Sequence, residues 1–305
     1  MTDTYKQFAQ RTDNIAAFRD TVMNIKNDSG LKAVADRSAS EQKIIRAYDL
    51  LRDLPDGTRN AEVKLTPRKT LEAARQYAAM GKKVAILNCA ADKRPGGETE
   101  NGHDTQEASL CKCTTLYPCL NSTDALMKFY NPHKNSLNAP HTMNSCLTTD
   151  DCIYTPGVEV IKEDSEGYRL LPESERFTVD VISCSAPEFI SAFTSPFLAS
   201  FGSNQPFERS RIENVYRKRF ERILSIARKA GVDVVILDFW GYRRSEEDAC
   251  IVSEAACKAA ESFVSCFDTI EAAVGYSSAG SNTYNIYARA FDKNEPYPEV
   301  SSSVM

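Results

Sequence analysis

The feature that most constrains this chain is an alternation of short apolar strands with amphipathic helices across its C-terminal four-fifths. A helix from Pro67 through Met80 closes at Gly81, a residue suited to the left-handed cap position, and the apolar strand Val84 to Cys89 follows. The motif recurs as strand Val179 to Cys184, helix Arg211 to Ala230 capped by Gly231, and strand Asp233 to Phe239. Helix Glu246 to Phe267, strand Thr269 to Gly275 and a short helix near Tyr284 to Phe291 complete it. Alternating strands and helices imply a mostly parallel sheet covered on both faces, an α/β fold. Before this region, Tyr5 to Ile25 and Glu41 to Leu54 carry apolar residues at helical spacing and predict two amphipathic helices. Between Asn121 and Arg176 the periodicity fades, which predicts a long irregular insertion over a sheet edge or cleft.

Composition narrows the class. The chain has 305 residues, 42% hydrophobic and 26% charged, enough for a substantial core. A formal charge of -5 argues against direct nucleic-acid binding, which needs a basic face. No apolar run approaches a membrane span and the first ten residues lack an apolar core, so a cytoplasmic protein with most of its ten cysteines reduced is expected. Cys250 and Cys257, seven apart, read as buried small hydrophobes. Cys111, Cys113 and Cys119 near His103 form the strongest candidate metal cluster, yet a single C-x-C lacks the paired spacing of zinc sites, so no metal is expected. A Cys111–His103 nucleophile pair is a further, weaker arrangement. No nucleophile elbow, Walker A loop or G-x-G-x-x-G follows any strand.

The segment after the Val84 strand carries the chemistry. It runs Asn88-Cys89-Ala90, then Pro95-Gly96-Gly97-Glu98, then Gln106-Glu107-Ala108. Adjacent glycines at the carboxyl end of a parallel strand let a ligand approach the backbone closely, although a plain tight turn has the same composition.

These residues, with Leu116-Tyr117-Pro118, Leu71-Glu72-Ala73-Ala74-Arg75, Ala186-Pro187, Trp240-Gly241 and Arg289-Ala290-Phe291, resemble the signature of the microbial-type poly(ADP-ribose) glycohydrolases. That signature is a strand, an Asn, a Gly-Gly-Gly turn, six to eight residues, and Gln-Glu-Glu; here seven residues, Thr99 to Thr105, fill the gap. The resemblance spans roughly residues 60 to 292. It implies a macrodomain-like three-layer α/β/α fold with a mixed, mostly parallel sheet. Residues 1–60 would form a helical accessory segment, 61–292 the domain, and 293–305 a tail. It further implies binding of ADP-ribose, poly(ADP-ribose) or a related nucleotide, an ADP-ribosylated protein as possible partner, and Glu-assisted hydrolysis of the ribose glycosidic bond without metal or cofactor. Asn88, Gly96, Gly97, Glu98, Gln106, Gly241, Tyr242 and Arg243 map to the ligand site, and Glu107 to the carboxylate that holds the distal ribose hydroxyls.

Three positions depart from that pattern. The third glycine is Glu98, the catalytic second glutamate is Ala108, and the glycine-rich phosphate loop after Gly241 reads Tyr242-Arg243-Arg244. Ala108 fits either an inactivated Glu→Ala variant or a lineage that lacks the residue, and the rewritten phosphate loop favours the latter. Arg243 and Arg244 offer guanidinium forks to a pyrophosphate and Tyr242 a stacking face, or both arginines pair with Glu246, Glu247 or Asp248 in solvent. Glu98 beside a diphosphate would repel it, which keeps a less anionic ligand in play. A non-catalytic or reassigned nucleotide binder is the alternative function.

Overall fold

The computed structural model describes residues 3–49, 57–136, 148–188, 209–240, 246–275 and 282–291. Seven strands form one sheet in the order β1-β4-β5-β3-β6-β7-β2. They are β1 (Lys43–Ile45), β2 (Glu62–Thr66), β3 (Val84–Ala90), β4 (Cys152–Val160), β5 (Phe177–Ser185), β6 (Val234–Leu237) and β7 (Thr269–Ala273). The five strands from β5 to β2 run parallel, while β4 is antiparallel to both β5 and β1. The mixed, mostly parallel sheet is as expected, and its interior parallel strands β3, β5, β6 and β7 are largely buried on both faces.

Side chains alternate between two cores. Ala85 and Leu87 of β3, Ile182 and Cys184 of β5 and Val235 and Leu237 of β6 pack beneath α6 (Arg209–Lys229), α7 (Glu246–Glu261) and α8 (Asn282–Phe291). Val84 and Ile86, Val179 and Val181, and Val234 and Ile236 face the opposite layer. That layer holds α1 (Asp3–Asn27), α3 (Thr70–Ala79), α4 (Gln106–Cys113) and α5 (Leu116–Leu120), with Phe18, Leu71, Leu110 and Leu116 at the contact. Helix, sheet, helix is the three-layer arrangement.

Several expectations are corrected. The helix assigned to Glu41–Leu54 is instead α2 (Ser29–Glu41), started by Asp28, whose side chain accepts from Gly30 N and Leu31 N, and it is followed by strand β1. Ile44 and Ile45 face opposite cores in this edge strand, as period-two alternation requires, and Tyr48 is exposed. Residues 50–56 lie outside the described residues. The supposedly irregular 121–176 segment contains helical turns between Thr123 and Ser136 and the interior strand β4. Its strand alternation is broken at Pro156-Gly157, where the β4–β5 register shifts between Thr155 and Val158. The Glu246 helix ends at Glu261 rather than Phe267, giving way to turns. Strand β2 was missed because one exposed and four half-buried residues at a sheet edge carry little apolar signal.

Helix α1 fixes the segment that precedes α4. Asn14 donates to Gly102 O at 3.2 Å and Arg11 to Asn101 O at 2.7 Å. The buried Lys112 Nζ donates to Asn14 Oδ1 at 2.8 Å, and burial lowers its pKa. None of the nine described cysteines forms a disulfide with another described cysteine. Among the described residues no helix is long and apolar enough to cross a membrane.

Candidate active site at the carboxyl end of β3

β3 ends at Ala90 and the chain turns through Gly96 and Gly97, at φ 66° and 59°. Both need glycine, since this left-handed region disfavours side chains. A Cβ at Gly96 would stand 3.0 Å from the Tyr117 ring, and one at Gly97 3.3 Å from Glu107 Oε2. The turn therefore wraps the first turn of α4, which Thr105 caps by accepting from Ala108 N at 3.1 Å.

Gln106 fastens α4 to the strand end. Its Oε1 accepts from Cys89 N at 2.9 Å and its Nε2 donates to Leu87 O at 2.7 Å. Glu107 turns into the Pro-Gly-Gly loop, where Oε2 accepts from Ala91 N at 2.9 Å and Oε1 from Asn88 Nδ2 at 3.3 Å. Asn88 Nδ2 also donates to Ser183 Oγ at 3.0 Å on the neighbouring β5. Glu107 is 2% exposed. Burial pushes its carboxyl up to about 8, against hydrogen bonds from Ala91, Asn88 and Gly96 that favour the ionised form. At neutral pH it is a protonated acid able to donate a hydrogen bond, in the manner of other buried carboxyls.

That shift has a consequence for stability. The unfolded carboxyl titrates near the ordinary value of 4.5, the folded one at about 8. Between these pH values the folded state holds a proton that the unfolded state has lost, so stability falls as pH rises through the window and levels off above it. Glu107→Gln does not ionise and should shrink the decline. Thermal unfolding midpoints at about pH 5.5 and about pH 8.5 for both chains check this; equal declines would refute the neutral carboxyl.

Asn88, Gly96, Gly97, Gln106, Glu107 and Ala108 are thus gathered at one place, with the Ala108 methyl fully buried. Glu98 is not drawn in: it is partly exposed and pairs with Arg94 at 2.9 Å. Glu100 accepts from Tyr117 OH and Asp104 from Gln10, both at the surface. Gly241, Tyr242 and Arg243 lie outside the described residues. Cys111 is fully buried under the Gly96 turn, and burial raises its thiol, the reverse of an activated nucleophile. Cys113 Sγ points to Glu163 O and Cys119 Sγ to Ala35 O, so the three cysteines do not converge. Among the described residues no group of three or more His, Cys, Asp or Glu side chains is placed to hold a metal ion.

Sequence reasoning missed Asp238. It follows β6 directly, is 1% exposed, and accepts from Phe239 N at 2.7 Å and Thr70 Oγ1 at 3.3 Å. Burial pushes it up to about 7. Thr70 in turn lies 3.4 Å from Gln106 Nε2, which connects this second buried acid to the signature. The signal was an acid at the carboxyl end of a central parallel strand, where ligands bind in open α/β sheets.

An α/β/α sandwich with a buried acid under a glycine turn at the carboxyl end of a central strand is a macrodomain-like fold. The chain belongs to the microbial-type poly(ADP-ribose) glycohydrolases, since the model of their catalytic domain matches residues 9–163. Its fold is similar to that of poly(ADP-ribose) glycohydrolase from Thermomonospora curvata, with TM-score 0.71 and 23% identity over 92% of this chain and 100% of that one. The Thermomonospora enzyme bound to the inhibitor ADP-HPD matches at TM-score 0.68 and 23% identity, over 90% and 98% of the two chains. The Deinococcus radiodurans enzyme in complex with ADP-ribose matches at TM-score 0.68 and 23% identity, over 84% and 96%. No curated protein matches the chain.

Proposed function

We propose that this chain binds ADP-ribose, free or at the end of a poly(ADP-ribose) chain or an ADP-ribosylated protein, and hydrolyses the ribose glycosidic bond slowly. The observation that carries this reading is the buried Glu107 carboxyl, held by Asn88 and Ala91 beside the glycine turn at the carboxyl end of β3. The complexes of the Thermomonospora and Deinococcus enzymes with ADP-HPD and ADP-ribose support the ligand class.

In this reading Glu107 and Asn88 hold the distal ribose hydroxyls, and the Gly96-Gly97 backbone lies along the ligand. Gln106 keeps α4 registered to β3, and Gly241, Tyr242 and Arg243 contact the pyrophosphate or base. Cleavage breaks the bond from the anomeric carbon to the leaving oxygen through an oxocarbenium-like state; the oxygen takes a proton and water adds to the carbon. Ala108 supplies no proton, so water must do so and turnover is poor. The buried methyl also favours a second reading, a binder that does not turn over its ligand.

We further propose that residues 1–60 serve as an accessory segment to a 61–292 domain with a 293–305 tail, and that the protein acts in the cytoplasm. The test is to incubate the unmodified protein with poly(ADP-ribose), measuring retention of polymer and release of ADP-ribose by chromatography. Retention that free ADP-ribose competes away, with slow release, is expected. Failure to retain polymer, with no effect of ADP-ribose on the protein, rejects the reading.

A further inference from the structure

Three buried polar atoms on the α4 side of the sheet have no hydrogen-bond partner among the described residues: Asn88 Oδ1, Ser185 Oγ and Tyr130 OH. Asn88 pairs in register with Ser183 and Ala90 with Ser185, so by strand alternation Asn88, Ser183 and Ser185 share the sheet face toward α4. Tyr130 belongs to the same core layer, packed edge-on against Phe129 at 5.1 Å between ring centroids. It closes a π-helical turn, Leu126–Tyr130, a local irregularity that frequently marks functional sites. Burial raises its phenol, and Glu107, Cys111 and Tyr117 add to the rise; Cys111 and Tyr117 are the side chains that pack against Gly96 of the glycine turn. His133, one helical turn beyond Phe129, contacts Phe129 O and Thr149 Oγ1, while Thr148 donates to Ala186 O. These contacts tie the Tyr130 turn to the strand end that carries Ser185.

Leaving a polar atom buried without a partner is destabilising, and native proteins rarely carry several together. An acceptor and two hydroxyls gathered beside a protonated carboxyl suit a ligand rich in hydroxyls, whose engagement of Glu107 and Asn88 rearranges their hydrogen bonds. We infer that Tyr130 and Ser185 are positioning residues for the terminal ribose, acting through Glu107 and Asn88. The inference rests on the ADP-ribose reading above and deepens it. Tyr130 OH donates to the Glu107 carboxyl, and Ser185 Oγ to Asn88 Oδ1, once the ribose diol has drawn Glu107 away from the glycine turn and Asn88 away from Glu107.

Tyr130→Phe and Ser185→Ala each remove one oxygen and keep the packing. The two variants and the unmodified protein are titrated with ADP-ribose and with ADP, which lacks the second ribose, and their thermal midpoints are measured without ligand. Each variant should bind ADP-ribose about three- to tenfold more weakly, the usual range for one hydrogen bond, with ADP affinity unchanged. Its midpoint should equal or exceed that of the unmodified protein, since an unsatisfied hydroxyl is gone. A merely structural hydroxyl would instead lower the midpoint and leave the ADP-ribose to ADP ratio alone. Unchanged ADP-ribose affinity in both variants, or equal weakening toward both ligands, overturns the inference. If the unmodified protein binds ADP but gains nothing from the second ribose, the inference fails while nucleotide binding stands; if it binds neither, both readings fail.

Discussion

Ala108→Glu should raise the rate of ADP-ribose release from polymer by at least roughly one hundredfold, the lower end of what a positioned general acid and base contributes. Residue 108 lies in the first turn of α4, after the Thr105 cap, and side chains there tilt toward the helix N-terminus. The carboxyl end of β3, where the glycine turn and Glu107 meet, lies on that side. Successive helical residues point about 100° apart, so Glu107 and residue 108 address different parts of a bound sugar. Glu107 cannot stand in for the missing acid while Ala91 N and Asn88 Nδ2 hold it in the turn. The new side chain enters a fully buried position, and overpacking there costs about 1–3 kcal/mol of stability, so the thermal midpoint should drop as the rate rises. Rapid turnover by the unmodified chain would locate the proton elsewhere. Asp238, the other buried acid held near neutrality at this sheet end, is then the first candidate, and Asp238→Asn would abolish the activity.

The parts of the site that the sequence revealed are those built from local chain. The Val84–Ala90 run, the Gly96-Gly97 pair and the Gln106-Glu107 helix start are contiguous signals, and each lies where its periodicity and turn chemistry require. Thr70, Ser183, Ser185 and Tyr130 were not legible because strand register and helix docking bring them to this end of the sheet from distant segments, whereas Asp238 carried a signal in its place at the end of β6. Asn88 meets Ser183 only because β3 and β5 are neighbours, across ninety-five residues of sequence. The fold followed a similar division. Interior parallel strands announced themselves by continuous apolar runs, whereas β1 and β2 at the edges and the bulged β4 did not. Glu98 illustrates how a side chain escapes a motif: its backbone occupies the turn, but Arg94 four residues earlier draws the carboxylate outward.

If the carboxyl end of β3 receives ADP-ribose through Glu107, binding should depend on that side chain. Glu107→Ala removes the carboxyl from a cradle of two backbone amides and Asn88, and it leaves Asn88 Nδ2 with Ser183 alone. Losing a buried carboxyl that meets a ribose diol forfeits about 2–3 kcal/mol of binding, or roughly 30- to 150-fold in Kd. Truncation also relieves the burial of an ionisable group, so the variant should stay folded above neutral pH. Calorimetric titration of ADP-ribose into the unmodified protein and into Glu107→Ala decides the matter. Saturable heat is expected from the unmodified protein, with a weakening of that size in the variant. No heat from the unmodified protein at millimolar ADP-ribose, or equal affinity in the two chains, would contradict it.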